Sequence, residues 1–114
     1  MELSIYGSTG FIGSNFLKLY PDNKIIKKGC FNPESEDILY FISTVHNYNI
    51  FDDITKDVKI NLEILCKVLE NCKSNKITFN FISSWFVYGK TSHLPVNEKQ
   101  SCNPTGFYSI TKKC

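Results

Sequence analysis

Three glycines in seven residues, Gly7-Ser8-Thr9-Gly10-Phe11-Ile12-Gly13, follow the short apolar run Leu3 to Tyr6. A helical stretch starts near Ser14 and is stopped by Pro21-Asp22-Asn23. The chain holds six glycines in all, and independent draws from that composition would give this spacing only about 0.02 times. The predicted opening is therefore strand, glycine turn, helix. Glycine permits positive φ, lets backbone come close to a pyrophosphate and leaves the first helix amides pointing at the anion. Ser8 and Thr9 add hydroxyl donors; a tight turn without a ligand is the simpler alternative. A Walker-type phosphate loop is disfavoured, because no Gly-Lys-Ser/Thr follows.

The rest of the sequence keeps the alternation. Ile25-Ile26 reads as a second short strand, and Ile38 to Ile42, with no charge inside it, as a strand buried on both faces. From about Lys56 to Asn71, Val58, Leu62, Leu65, Val68, Leu69 and Cys72 recur at offsets of three and four, which predicts a helix with one buried face. Thr55 or Asp57 is the expected cap. Lys76 to Ile82 is rich in β-branched and aromatic residues and makes a fourth strand, followed by Ser83-Ser84 and a loop with Pro95 and Pro104. Strands alternating with helices imply parallel pairing by right-handed crossovers. The predicted fold is an open α/β sheet with its ligand site beyond the carboxyl ends of the strands.

With 114 residues there is room for one domain, and 42% apolar and 14% aromatic residues are enough for a packed core. Thirteen lysines against eleven acids are scattered except at Lys27-Lys28 and Lys112-Lys113, so no basic face for nucleic acid is expected. The five cysteines lack Cys-x-x-Cys spacing and a histidine at a ligand offset. They read as buried or idle thiols in a reducing compartment. No segment approaches the roughly 20 apolar residues of a membrane span, and no positively charged leader is apparent. A soluble cytoplasmic protein is expected.

A carboxylate that reads an adenosine ribose would lie roughly 20 residues beyond the glycine turn. Lys27 and Lys28 stand there, and no acid occurs between Asp22 and Glu34. Lys28 pairing with the 2′-phosphate of NADP and a merely solvated strand end are both compatible with this; the lean is towards NADP over NAD. Further along, Tyr108-x-x-x-Lys112 sets a phenol and an ammonium on one helix face. Chance alone supplies about 0.7 such pairs in this composition, and Tyr20/Lys24 is a decoy split by a turn. What singles out Tyr108 is Ser83-Ser84-Trp85-Phe86-Val87-Tyr88-Gly89, at the end of a strand on the glycine-turn side of the sheet.

Four features in order resemble the extended short-chain dehydrogenase/reductase family, the NAD-dependent epimerases, dehydratases and reductases of nucleotide sugars. They are the Gly7 to Gly13 turn, Asn61 in Asn-Leu-Glu-Ile-Leu, Ser-Ser-x-x-Val-Tyr-Gly at Ser83 to Gly89, and Pro95-Val-Asn-Glu98 leading to Pro104-x-x-x-Tyr108-x-x-x-Lys112. The resemblance implies a Rossmann-like doubly wound parallel sheet over residues 1–114. By it Ser84 matches the substrate-binding Ser/Thr, Tyr108 the catalytic acid/base and Lys112 its partner on the nicotinamide ribose. Gly7, Ser8, Thr9, Gly10, Phe11, Ile12 and Gly13 match the dinucleotide turn, Asn61 a supporting residue, and Ser43 and Thr44 the backbone that passes the cofactor. A nucleotide-sugar substrate and a homodimer are also implied, the latter through the Asn61 and Tyr108 helices.

The chemistry is consistent with those roles. Taking a hydroxyl proton while hydride leaves the same carbon requires a base near neutral pH, whereas free tyrosine titrates near ~10. Lowering it by ~3 units needs roughly 4 kcal/mol, about what one positive charge at ~4 Å supplies at an effective dielectric of ~20. Ser84 would orient the substrate oxygen. Family dehydratases carry an acidic pair after the Ser/Thr; Trp85 and Phe86 stand there, which favours epimerase or keto-sugar reductase chemistry. Trp85 reads as core or pocket wall. The segment before Ile38 is too short for the helix and strand that most relatives insert, and the family's substrate-binding C-terminal portion is absent. The domain is therefore expected to be shortened and truncated, and a non-enzymatic dinucleotide-binding module is the alternative. His46 and His93 read as surface histidines, His46 close enough to the cofactor-side strand to touch a ligand.

Overall fold

The computed structural model describes residues 2–45, 53, 55–73 and 76–114. Its centre is a four-stranded sheet of β1 (Leu3–Tyr6), β2 (Lys24–Ile25), β3 (Asp37–Tyr40) and β4 (Thr78–Phe81), in the order β2-β1-β3-β4 with every pair parallel. Tyr6 pairs with Tyr40 and Tyr40 with Phe81. Three strands thus end level, and whatever follows them gathers along one edge of the sheet.

The helices are α1 (Phe11–Leu19), α2 (Thr55–Asp57), a wider π-type stretch (Val58–Glu63) running on into α3 (Ile64–Asn71), and α4 (Phe107–Lys113). A single 3-10 turn, Trp85–Tyr88, follows β4. Side chains alternate across a strand, and one face of the sheet buries Tyr6, Ile38 and Tyr40 against Val68, with Leu65, Cys72, Phe79 and Phe81 packed around them. On the sheet's other face Ile5 is fully buried, and Phe16 of α1 reaches Phe41 just past β3.

Several expectations are corrected. The first helix starts at Phe11, not Ser14, because Gly10 in extended conformation opens it without a side-chain cap. The second strand is Lys24–Ile25, and Ile25 is exposed while Ile26 beyond it is buried. In β3 only Ile38 and Tyr40 are buried; Asp37 and Leu39 are half-buried, so the strand is not enclosed on both faces. Neither Thr55 nor Asp57 caps the long helix: Asp53 Oδ1 accepts the Thr55 N–H at 3.1 Å. The buried stripe of that helix runs through Asp57, Asn61 and Val68, while Val58 and Leu69 are exposed. The wide π-type turns carry Asn61 inward and Val58 outward.

The connection from β2 to β3 is direct, with no helix or strand between them. Side chains of β1 hold it in place. Ser4 Oγ accepts the Glu34 and Ser35 N–H groups at 2.9 and 2.8 Å, and the Tyr6 hydroxyl donates to Phe31 O at 2.8 Å.

Candidate active site

The glycine turn is built by two close backbone approaches. Gly7 has φ +79, and a Cβ there would lie 2.9 Å from Ile42 N, so the turn seats directly on the chain leaving β3. A Cβ on Gly13 would come within 2.3 Å of Gly7 O, so α1 packs onto the turn it grows from. Gly10 N–H closes the turn on Gly7 O at 3.2 Å. The first N–H groups of a helix have no partner inside it. Here no side chain caps them and the first turn carries no acid, which leaves the start of the helix, at the exposed Phe11 and Ile12, open with the positive end of the helix dipole. Phe11 and Thr9 are exposed and Ser8 is half-buried.

Past β3, Ser43 is half-buried, its hydroxyl donating to Thr44 O at 3.2 Å. Thr44 is buried and turned inward, its hydroxyl donating to Asp57 Oδ1 at 2.6 Å. The Thr44 side chain therefore serves the protein interior, and its place beside a cofactor would be through backbone. Asn61 completes the arrangement. Its Oδ1 accepts Thr44 N–H at 2.9 Å, and its Nδ2 donates to Thr44 Oγ1 at 3.0 Å and Thr111 Oγ1 at 2.9 Å. Thr111 in turn donates to Tyr108 O at 2.9 Å. Four buried polar side chains thus tie the end of β3, the long helix and α4 together, with the donors and acceptors named here all paired.

Ser84 caps the 3-10 turn after β4, its Oγ accepting Phe86 N–H at 3.3 Å, and among the described residues its own proton has no acceptor. Tyr108 lies in the first turn of α4, half-buried, with Phe86 edge-on against it at 6.2 Å between ring centroids. Lys112, one turn on, is buried; its ammonium donates to Ile82 O at 2.6 Å and lies over the Phe81 ring at 4.1 Å. Burial holds its pKa below the ordinary lysine value. Among the described residues no hydrogen bond joins the Tyr108 hydroxyl to Ser84 or Lys112, so Tyr108 and Lys112 stand one helical turn apart without a bond between them.

Lys27 and Lys28 are exposed in a turn just beyond β2, closed by Cys30 N–H on Lys27 O at 3.0 Å. His93 is exposed beside Ser92, and His46 lies outside the described residues. Trp85 is not core: it is 53% exposed. All five cysteines are free, and none is fully buried. A pocket of about 400 Å³ opens between α3, β4 and α4, lined by Leu65, Phe81, Cys102 and Lys112 among others. It misses Ser84, Tyr108 and the glycine turn, so the cavity and the candidate chemistry meet only at Lys112. Asp57, read from the sequence only as a helix cap, and Thr111 were missed as members of this buried network. Their signal was polar identity on a buried stripe, with Asp57 and Asn61 four residues apart.

A profile of the NAD dependent epimerase/dehydratase family matches residues 35–114, a range that includes Ser84, Tyr108 and Lys112 but not the glycine turn. No curated protein matches the chain. Among solved structures, the UDP-glucose 4-epimerase from Brucella ovis in complex with NAD is 19% identical over 98% of this chain and 44% of its own, with a TM-score of 0.84. The UDP-N-acetylglucosamine 4-epimerase from Methanobrevibacter ruminantium, in complex with UDP-N-acetylmuramic acid, is 20% identical over 98% of this chain and 47% of its own (TM-score 0.82). RMD from Pseudomonas aeruginosa, complexed with NADPH, is 22% identical over 98% and 44% (TM-score 0.81). These likenesses establish the Rossmann-like fold, and the chain spans a little under half the length of the structures it matches.

Proposed function

The chain belongs to the NAD dependent epimerase/dehydratase family, and from that premise we propose that it binds a nicotinamide dinucleotide and carries the proton-transfer residues of a nucleotide-sugar epimerase or keto-sugar reductase. One observation carries the reading: the level ends of β1, β3 and β4 set the glycine turn, Thr44 and Ser84 along one sheet edge, and Phe86 of the turn after Ser84 packs against Tyr108.

The residues fit a dinucleotide. A Cβ at Gly7 or Gly13 would collide with backbone, and the uncapped start of α1 offers amides to a pyrophosphate. Gly7, Ser8, Thr9, Gly10, Phe11, Ile12 and Gly13 would hold that group, with Ser43 and Thr44 passing beside it. When bound, the nicotinamide supplies the hydride acceptor or donor. Ser84 donates its proton to the substrate oxygen and fixes its direction. Tyr108 takes or returns the proton at that oxygen. Lys112 keeps N–H donors beyond the one given to Ile82 O, enough to grip a ribose hydroxyl, and its charge favours a phenolate one helical turn away.

Titration of the chain with NADH and NADPH, followed by fluorescence, tests the first part. Binding is expected, with NADPH tighter and weakened about three- to tenfold by Lys28→Ala, the scale of one charge-assisted phosphate contact. Equal affinities, or tighter NADH, would remove Lys28 from the site. In a hydride-exchange assay with UDP-glucose, Tyr108→Phe should cost about 10²- to 10⁴-fold; a retained rate overturns its role.

A further inference from the structure

In a 3-10 helix, residues three apart eclipse one another, so the turn Trp85–Tyr88 has three distinct faces. Val87 takes the inward face and is buried. Trp85 and Tyr88 share the second, ring centroids 5.5 Å apart. Phe86 alone holds the third, and there its ring meets Tyr108 edge-on. The hydroxyl of Ser84 fixes the Phe86 backbone N–H. Trp85 and Phe86 are 53% and 55% exposed on two different faces, and Phe86 is the one that stands beside both Ser84 and Tyr108.

Phe86 is hydrogen-bonded through its N–H to Ser84 and packs on Tyr108, so a substrate oxygen held by those two residues brings its carbon close to the Phe86 ring. An aromatic face gives no hydrogen bond to a sugar hydroxyl, and a hydroxyl turned towards it loses water without replacement. The C–H face of a pyranose, in contrast, gains by covering the ring. We propose that Phe86 is an apolar wall that receives the C–H face of the hexose of a nucleotide sugar. The inference rests on the proposed function and adds to it a sugar-face subsite built on a residue with no proton to transfer. The wall also withholds water from one flank of Tyr108, so that its proton is exchanged with substrate.

Trp85 is the chain's single tryptophan, so its indole N–H gives one nuclear magnetic resonance signal, one residue from the wall. The experiment adds NADH to the full 114-residue chain, then UDP or UDP-glucose, and follows that signal. UDP-glucose should move it beyond the effect of UDP. Phe86→Ala should weaken UDP-glucose about tenfold, the scale of losing roughly 50–60 Å² of covered ring, and leave NADH affinity within about twofold. Phe86→Leu, which keeps the apolar bulk and checks against misfolding, should recover part of the loss. A UDP-glucose response no larger than that of UDP, or unchanged affinity in Phe86→Ala, overturns the wall while NADH binding stands. Failure to bind NADH at all overturns the proposed function and the wall together.

Discussion

Removing the Asn61 carboxamide should loosen the candidate site more than any single substitution at its surface. Asn61 is 3% exposed and makes three hydrogen bonds, two to Thr44 and one to Thr111. In Asn61→Ala the Thr44 N–H loses its acceptor while buried, a cost of about 1–3 kcal/mol. Thr44 and Thr111 keep acceptors for their own protons in Asp57 and Tyr108 O, so each loses only an accepted bond, about 0.5 kcal/mol apiece. The vacated volume adds about 1 kcal/mol. The sum, about 3–5 kcal/mol, is a large share of the roughly 5–15 kcal/mol of a typical domain. A urea titration of the variant beside the parent chain measures it directly. Asn61→Asp separates the contributions, since it keeps the acceptor for Thr44 N–H but places a second carboxylate against the single Thr44 hydroxyl that already serves Asp57. Burial and that neighbour raise the new group's pKa above its unfolded value. Its protonated form is then compatible with folding at low pH, and stability falls as pH rises through the folded pKa. Asn61→Asp should therefore sit closer to the parent near pH 5 than at pH 7. A loss below about 1 kcal/mol in Asn61→Ala would refute the network as the tie between α4 and β3.

The two buried phenols of the sheet should respond oppositely to loss of their hydroxyls. Tyr6 donates to Phe31 O at 2.8 Å, so Tyr6→Phe should cost about 1 kcal/mol, whereas Tyr40 Oη is buried with no partner among the described residues, so Tyr40→Phe should be neutral or stabilising in thermal melts. Burial pushes both phenol pKa values up; the stability this confers is present below the unfolded pKa near ~10 and lost as pH rises beyond it, and their ionisation in an absorbance titration should coincide with unfolding. Gly13→Ala, with its Cβ 2.3 Å from Gly7 O, should abolish measurable NADH binding and lower the melting temperature; parent-like affinity would show that the turn is not the pyrophosphate cradle.

The strands were legible because β-branched and aromatic runs punctuated by glycine and proline carry their own signal, and their parallel pairing followed from the alternation with helices. The start of α1 was not, since Gly10-Phe11-Ile12-Gly13 offers none of the capping residues by which a helix announces itself. The long helix was found by its period, and Leu65, Val68 and Cys72 pack on the core as expected; the buried face of its first half was not legible. Apolar identity pointed to Val58, whereas the buried positions are Asp57 and Asn61, polar residues whose burial is explained only by Thr44 and Thr111, 13 and 50 residues away from them in sequence. Of the residues proposed for the site, Ser84, Tyr108 and Lys112 were legible as a spaced motif. The ammonium's engagement with Ile82 O and Phe81 was not, because it depends on where β4 ends relative to α4.

The direct connection from β2 to β3 shows how a fold of this kind tolerates a missing crossover layer. The chain must pass across β1 to reach the far side, and without a helix its backbone polar groups would lie over the sheet unpaired. Ser4, with no exposed surface, supplies an acceptor to two successive N–H groups, and Tyr6 a donor to Phe31 O. A β1 strand of purely aliphatic residues would leave those groups orphaned. The polar residues of an otherwise apolar first strand are therefore the counterpart of the short connection, and the two features are expected to change together. Ser4→Ala removes both acceptor contacts and should free residues 31–36 for hydrogen exchange while leaving β1, β3 and β4 protected, because the sheet ladder does not depend on them. Simultaneous loss of protection throughout would instead make the connection part of the folding core.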